Sequence, residues 1–206
     1  MGRGKSRLAR TKNKNMLQYI ITSKTRRKIL ELFFHDFGES HYLRKIVREI
    51  DEEVNAVKRE LDILEKAKVL HKERRLNKVF YSLNKGFLLF DEFLRIFTKT
   101  NKLSEGIYSN LSKLGKTKFI ALSTRYAKKV PIKEGEIYLL CVGVIVVPEL
   151  TSIVSEVEKE YGTEINYTAM TEEEFSFRKK NNDPFIWHFL KYPKVMLVGA
   201  EEELLK

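Results

Sequence analysis

Apolar side chains recur at helical spacing in three runs between residues 23 and 67. The first run follows Thr22 and Ser23, either of which can cap a helix, and it ends at Asp36-Phe37-Gly38. In the second and third runs the apolar positions fall three or four residues apart, which places them on one helix face. The pattern predicts three short helices, the third over residues 53–67. Their apolar positions are Ile29, Leu30, Leu32 and Phe33, then Leu43, Ile46, Val47 and Ile50, then Val54, Val57, Leu61 and Leu64.

Two strand-like runs come directly after the third helix. They cover residues 69–73 and 78–83, and the basic turn Arg74-Arg75-Leu76-Asn77-Lys78 separates them. Three helices followed by a hairpin are the layout of a winged helix-turn-helix unit, which places one helix in a DNA groove. Residues 17–85 are therefore predicted to form such a unit. The turn is its wing, with an ordinary polar hairpin loop as the alternative.

The next segment, residues 87–100, carries apolar side chains too densely for a single helical face. Such a helix packs between two halves of the chain or buries itself against another subunit. An amphipathic pattern at Leu103, Ile107, Leu111 and Leu114 follows it. Residues 86–115 are therefore predicted to be connecting and dimerisation helices, and a homodimer is expected.

The second half of the chain alternates between strand-like and helix-like segments. This alternation predicts a small mixed-sheet domain over residues 116–206, which makes the chain as a whole α+β. The predicted strands cover residues 118–122, 136–142, 165–169 and 195–198, and the predicted helices cover 149–161, 171–180 and 184–192.

The net charge of +11 lies entirely in the first half. Residues 1–100 contain 24 Lys and Arg against 13 Asp and Glu, whereas residues 101–206 contain 15 of each kind. A basic region attracts phosphate through counterion release, whatever the base sequence. The segregation therefore favours double-stranded DNA as the partner of the first half.

Candidate DNA contacts follow from the direction of each side chain. A helix advances about 100° per residue, so Arg59 lies opposite the apolar ridge of the third helix. Arginine suits guanine and asparagine suits adenine in the major groove. A solvated surface position is the alternative for each residue taken singly. The candidates are Asn55, Lys58, Arg59, Asp62 and Lys66 on the recognition helix, Arg44, Lys45 and Arg48 on the second helix, and Arg74, Arg75, Asn77 and Lys78 on the wing.

The N-terminal arm is predicted to be disordered over residues 1–16. Its first fourteen residues hold six cations, no acid and almost nothing apolar, so they cannot bury enough surface to offset the entropy of ordering. Such arms lie along phosphates or enter a minor groove in other DNA-binding proteins. A solubilising tail is the alternative. The candidate contacts in the arm are Arg3, Lys5, Arg7 and Arg10.

Three acids, Asp51-Glu52-Glu53, stand at the start of the predicted recognition helix. They favour the helix through its dipole, yet they repel phosphate. Two interpretations stay open. The acids cap the helix and sit off the contact surface, or they discriminate against wrong sites by repulsion.

The segment from Asn55 to Leu70 resembles the recognition helix and first wing strand of ArsR-like winged-helix transcriptional regulators, and the resemblance covers roughly residues 20–85. That family usually has a glycine where this chain has Lys68, so the helix must end differently here, at a cost of about 1 kcal/mol if Lys68 is left-handed. No metal-sensing cysteine pair accompanies the resemblance. Cys141 stands alone in an apolar run, where a buried, inert thiol is expected. No metal site and no cofactor are predicted.

Segments of the second half resemble the minimal polymerase-beta-like nucleotidyltransferase domain. The resemblance rests on residues 119–124, 136–143 and 164–168. It implies a metal site of several carboxylates. The matching positions hold Ser123-Thr124, a single Glu136 with Tyr138, and a neutral residue near Asn166. We therefore expect no enzyme activity from this domain. Its expected role is dimerisation or contact with an unidentified ligand or protein. The Glu136 side chain can then face solvent.

These features together predict a sequence-specific double-stranded DNA-binding transcriptional regulator. Two alternatives stay open: an active nucleotidyltransferase of toxin and antitoxin type, and a structured-RNA binder. The single cysteine fits a reducing cytoplasm, and a nucleoid-associated location follows from the predicted partner. The longest mostly apolar run, residues 137–147, is too short to span a bilayer, so no membrane partner is expected.

Overall fold

The computed structural model describes residues 16–206. The predicted contacts of the basic arm, Arg3, Lys5, Arg7 and Arg10, lie outside the described residues. A 3-10 turn at Met16–Tyr19 precedes the first helix. The helices are α1 (Lys24–His35), α2 (Leu43–Ile50), α3 (Val54–Lys66), α4 (Phe90–Lys99), α5 (Lys102–Ser109), α6 (Thr124–Ala127), α7 (Val147–Tyr161), α8 (Glu172–Lys180), α9 (Pro184–Lys191) and α10 (Glu201–Leu205). The strands are β1 (His41–Tyr42), β2 (Leu70–Arg75), β3 (Lys78–Leu83), β4 (Gly115–Ser123), β5 (Leu139–Ile145), β6 (Tyr167–Met170) and β7 (Lys194–Val198).

The N-terminal half has the predicted winged helix-turn-helix arrangement. Helices α1, α2 and α3 precede the β2–β3 hairpin, and β1 pairs with β3 to complete an antiparallel sheet in the order β1-β3-β2. Ser23 caps α1, because its hydroxyl accepts a hydrogen bond from the Arg26 N–H at 3.2 Å. Across the wing turn Arg75 pairs with Lys78, which leaves a two-residue loop at the tip.

Helix α4 packs between the two halves of the chain, which is the first of the two arrangements predicted for it. Its Phe97 ring stacks on Phe34 of α1 with the ring centroids 4.8 Å apart, and the rings of Phe90 and Phe93 each lie 6.1 Å from Phe34. Helix α4 also contacts α6 and β7 of the C-terminal half. The apolar side chains of α4 thus pack against both halves of the same chain. Homodimerisation stays a prediction.

The C-terminal half is built on a four-stranded sheet in the order β6-β5-β4-β7. Strand β4 is antiparallel to β5 and β7, whereas β5 is parallel to β6. Successive side chains of β4 alternate between two cores. Ile120 and Leu122 pack with α5 and α7, while Phe119 and Ala121 pack with α8 and α9. Helices on both faces explain why the strands are nearly continuous apolar runs. The α+β class is as predicted.

Gly143 permits the close approach of β4 and β5. The register of the two strands shifts between Thr117 and Phe119, and Gly143 lies opposite this irregularity with a φ of 135°. A Cβ atom there would lie 2.4 Å from the carbonyl oxygen of Lys116. Only glycine fits this bulge without a backbone shift.

The structure differs from the predicted elements at several places. Helices α6 and α10 span four and five residues, too few for a helical period to be visible in the sequence. Strand β5 begins at Leu139, three residues after the predicted start. Glu136 instead belongs to a turn, in which its N–H donates to the Lys133 carbonyl at 3.0 Å.

The longest apolar run of the chain contains strand β5, whose residues 139–143 are buried. Cys141 lies inside β5, and burial raises the pKa of its thiol to about 12, which agrees with the predicted inert cysteine. Across residues 16–206, no helix combines the length and the apolarity that crossing a bilayer would need.

The N-terminal core contains a titratable imidazole, that of His41 in β1. Its imidazole is fully buried and lies edge-on to Phe33, with the ring centroids 5.3 Å apart. Burial lowers the pKa of His41, and Lys45 lowers it further, whereas Asp36 and two more distant glutamates raise it. The lowered pKa means that the folded state disfavours the proton.

We predict that acid destabilises the protein through His41. As the pH falls below about 6.5, the unfolded chain takes up a proton that the folded chain resists, so the free energy of unfolding decreases. A His41→Phe variant should show a shallower loss between pH 7 and pH 5 in urea unfolding. The control His71→Phe, at an exposed position of β2, should keep the wild-type slope. A wild-type slope in His41→Phe would contradict the assignment.

Candidate nucleic-acid interface

One face of α3 is buried and the opposite face is open to solvent. Val57, Leu61 and Leu64 are in the core formed with α1 and α2, as predicted. Arg59 lies on the opposite face and is exposed. The fourth predicted ridge residue, Val54, is 49% exposed, which corrects the prediction. Val54 is the first residue of α3, and that end of the helix extends beyond the apolar layer.

A buried carboxylate fixes the rotation of α3. Glu60 is only 4% exposed, and it accepts hydrogen bonds from the Ser23 hydroxyl at 2.8 Å and from the Arg26 Nε at 2.7 Å. Burying a carboxylate is costly unless such donors satisfy it. Both donors come from the N-terminal end of α1, so the contact ties α1 to α3. Sequence periodicity gave no sign of it, because its partners lie 34 and 37 residues away.

The outward face of α3 carries most of the predicted contacts. Lys58, Arg59 and Lys66 are exposed, and within residues 16–206 none of the three forms an ion pair. Asn55 is exposed on the first turn. Asp62 differs, because it is half-buried and its carboxylate lies 3.7 Å from Lys72 Nζ of β2. Asp62 is thus directed towards the wing strand.

Helix α2 presents cations beside α3. Arg44 and Arg48 are exposed, and Arg48 lies 3.8 Å from Glu49. Lys45 is half-buried, and its ammonium is 3.5 Å from the carboxylate of Glu39. Exposed ion pairs of this kind are weak, at about 0–1 kcal/mol, so the cations stay available to phosphate.

The wing projects four polar side chains and one apolar side chain. Arg74, Arg75, Asn77 and Lys78 are all exposed, as predicted. Arg75 is 2.7 Å from Glu73 and lies over the Phe80 ring, while Lys78 lies 4.7 Å from the centroid of Tyr42. These aromatic contacts orient the two cations along the hairpin. At the tip, Leu76 has a φ of 53° and is 96% exposed.

The structure does not support side-chain capping of α3 by the preceding acids, which is one of the two interpretations left open by the sequence. Glu53 occupies the N-cap position but makes no side-chain capping hydrogen bond. Glu52 lies 2.8 Å from both Lys24 and Lys28 of α1, and these ammonium groups lower the pKa of Glu52 to about 2. The charge of Glu52 is thus neutralised locally, so its repulsion of phosphate is reduced, whereas Asp51 and Glu53 stay exposed.

Helix α3 ends without a glycine. Lys68 adopts a φ of 62°, the left-handed conformation considered from the sequence. The Val69 N–H donates to the Leu64 carbonyl and the Asn84 amide donates to the Lys68 carbonyl, at 3.0 Å and 2.8 Å. These bonds satisfy backbone groups at the helix end and offset the cost of the conformation.

The positions that resemble a nucleotidyltransferase site form a closed polar cluster. Glu136 is not solvent-facing, because its side chain is only 11% exposed. Its carboxylate lies 2.8 Å from Arg125 and 2.6 Å from His188 Nε2, and it accepts the Lys133 N–H at 2.8 Å. The Lys133 N–H and then the Arg125 guanidinium lower the pKa of Glu136, against the effect of burial.

The neighbouring residues of this cluster also have structural partners. The Ser123 hydroxyl caps α6, and the Thr124 hydroxyl donates to the Pro193 carbonyl at 3.0 Å. The Tyr138 hydroxyl donates to the Val130 carbonyl, and the Asn166 carbonyl accepts from Tyr138 and Leu139. The cluster thus holds one carboxylate between a guanidinium and an imidazole.

One other group of side chains has the donor types of a metal site. Ligand atoms of Asp36, Glu39 and His41 lie within 4.8 Å of one another. Each carboxylate is already paired with a lysine, Asp36 with Lys129 at 3.3 Å and Glu39 with Lys45 at 3.5 Å. The absence of a metal site stays a prediction.

Comparison with known proteins gives limited similarity. The solved structure of reduced HlyU from Vibrio cholerae N16961 is similar to part of this chain, with a TM-score of 0.32 and 15% sequence identity. The similarity covers 40% of this chain and 78% of that chain. No protein-family model and no curated protein matches the sequence.

We predict that Glu60 stabilises the fold. Glu60→Ala removes the acceptor of two hydrogen bonds and leaves Arg26 without its partner, which should lower the free energy of unfolding by about 1–3 kcal/mol. Urea unfolding followed by circular dichroism measures the change. The control Glu53→Ala removes an exposed carboxylate from the same segment and should shift stability far less. Equal losses in the two variants would argue against a special role for Glu60.

Proposed function

We propose that the chain is a sequence-specific double-stranded DNA-binding transcriptional regulator. The observation that carries this proposal is the outward face of α3, where Asn55, Lys58 and Arg59 are exposed opposite the buried Val57-Leu61-Leu64 ridge. Inserted into the major groove, this face would bring an amide and a guanidinium to base edges. The two groups would read adenine and guanine, respectively.

The remaining cations would position the duplex. Arg44 and Arg48 of α2 flank the recognition helix, and the wing cations Arg74 and Arg75 project from the hairpin. Contacts of this kind go to phosphates, so they fix register without reading sequence. The wing would lie on the backbone or in the minor groove. The excess of cations in the first half of the chain supports the same partner.

A homodimer is part of the proposal, because a two-fold dimer would read a pseudo-palindromic site. Most of the apolar surface of α4 is already buried by contacts within the chain. Leu88 and Leu89 directly before α4 are 91% and 47% exposed, and Ile96 within α4 is 40% exposed. A second subunit could cover these three apolar side chains.

We propose further that the C-terminal half is not a nucleotidyltransferase. Two-metal chemistry needs several carboxylates with free oxygen atoms. Within the described cluster Glu136 is the sole carboxylate, and Arg125 and His188 already contact its two oxygens. A guanidinium at this position repels a divalent ion.

We predict that Arg59 contributes to sequence recognition. After in vitro selection of bound duplexes, Arg59→Ala should weaken binding to the selected site by about 1–3 kcal/mol and hardly change binding to random DNA. Fluorescence anisotropy at physiological salt measures both affinities. The control Arg95→Ala removes an exposed cation from α4 and should change neither affinity strongly.

Two outcomes would count against this assignment. An equal loss on random DNA would mean that Arg59 contacts phosphate alone. Stronger competition by a structured RNA than by the selected duplex would replace DNA with RNA as the partner.

We predict no nucleotide transfer by the purified chain. With Mg²⁺ and each labelled NTP in turn, incorporation into protein, nucleic acid or free nucleotide should stay at the level without protein. Transfer that is lost in Glu136→Gln but kept in Glu134→Gln, a change at an exposed neighbour, would establish the enzyme instead.

A further inference from the structure

A cleft lies where the N-terminal half meets the C-terminal half. It has a volume of about 430 Å³, and α1 and α4 line one side. Helix α6, the segment around residues 131–138 and the end of α7 line the other. The volume of the cleft falls in the range of small-molecule sites, about 300–1,000 Å³.

Phenylalanine and tyrosine rings from both halves of the chain line the cleft. Phe34 and Phe97 contribute from α1 and α4, and Tyr126, Tyr138 and Tyr161 contribute from the C-terminal half. Tyr126 and Tyr138 meet edge to face with their centroids 5.7 Å apart. Such a wall favours a flat, apolar molecule, which can stack on ring faces and displace water that the wall binds poorly.

Two hydroxyl groups in this wall have no partner. The Tyr138 hydroxyl is engaged with the Val130 carbonyl, but in the part of the chain that the structure describes, the hydroxyls of Tyr126 and Tyr161 make no hydrogen bond. Burial raises the pKa of Tyr126, and it raises the pKa of Tyr161 to about 12. Both phenols are therefore protonated at neutral pH and able to donate to an acceptor.

Two carboxylates and one ammonium line the cleft. Glu31 and Glu164 supply negative charge and Lys129 supplies positive charge, although Lys129 also lies 3.3 Å from Asp36. The His35 ring lies tilted against the Tyr161 ring with the centroids 4.7 Å apart, and burial lowers the pKa of His35, which favours the neutral imidazole. Glu31 also lies 3.9 Å from Arg27, so two of the three charges are already paired and a strongly ionic ligand gains little here.

We infer that this cleft binds an uncharged, planar aromatic small molecule whose carbonyl or ether oxygen accepts a hydrogen bond from Tyr126 or Tyr161. The ligand would contact both halves of the chain at once. The inference does not depend on DNA binding, because it rests on the volume, the rings and the two unpartnered hydroxyls.

The test uses the full-length chain and the neutral naphthalene ketone 6-propionyl-2-(dimethylamino)naphthalene. Its emission shifts to shorter wavelength in an apolar site, and its ketone can accept from a phenol. Titration should give a saturable blue shift with one site per chain. A signal that rises without saturation would overturn the inference.

Variants locate the bound probe. Ala127→Trp places a large ring in the cleft from α6 and should abolish the saturable signal, with thermal unfolding confirming that the variant is folded. Tyr126→Phe and Tyr161→Phe combined keep both rings and remove both hydroxyls, which should raise the Kd about tenfold, the usual worth of one hydrogen bond.

A matched control separates the hydroxyls from general effects of the substitution. Tyr108→Phe makes the same chemical change at a half-buried tyrosine that packs against the C-terminal core and is not among the residues lining the cleft. It should leave the Kd unchanged. Binding that persists in a folded Ala127→Trp variant, or that Tyr108→Phe weakens as much as the double variant does, would rule out this cleft as the site.

Discussion

The rotation of α3 about its own axis is the constraint on which the outward face of the N-terminal half depends. Burial of Val57, Leu61 and Leu64 sets that rotation coarsely, and the Glu60 carboxylate refines it, because a charge with 4% exposure must keep the donors that α1 supplies. A turn of one residue position, about 100°, would strip Glu60 of these donors and push Arg59 towards the core. The exposed cationic face is thus a consequence of what is buried behind it.

A second constraint joins the two halves. Helix α4 places Phe97 on Phe34 of α1 and also contacts the C-terminal strand β7, so one helix belongs to both packing units. Protein interiors are close-packed, with few voids larger than a water molecule. The aromatic cleft lies at this junction, where rings from α1, α4, α6 and α7 approach but do not fill the space. Its position gives a small molecule simultaneous contact with both cores.

In the C-terminal half, the Glu136 carboxylate is engaged by neighbouring side chains. Glu136 resembles a metal-binding carboxylate in the sequence, but Arg125 and His188 hold both of its oxygens in the structure. Breaking a nearly buried pair of this kind leaves an unpaired charge, which is unfavourable by several kcal/mol. The cluster therefore connects α6, the turn before β5, and α9.

The sequence by itself determined the order of the longer elements and the burial of Leu61 and Cys141, because helical and strand periods show in the spacing of nearby apolar residues. It also placed Arg59 opposite the ridge. Only the tertiary structure decided that Glu60 is buried against α1, that Val54 at the end of α3 stays exposed, that α6 and α10 form at all, and that α4 turns inward. Each of these features depends on contacts between segments far apart in the chain. The local pattern of apolar and polar residues does not predict which distant donor, ring or charge a side chain will contact.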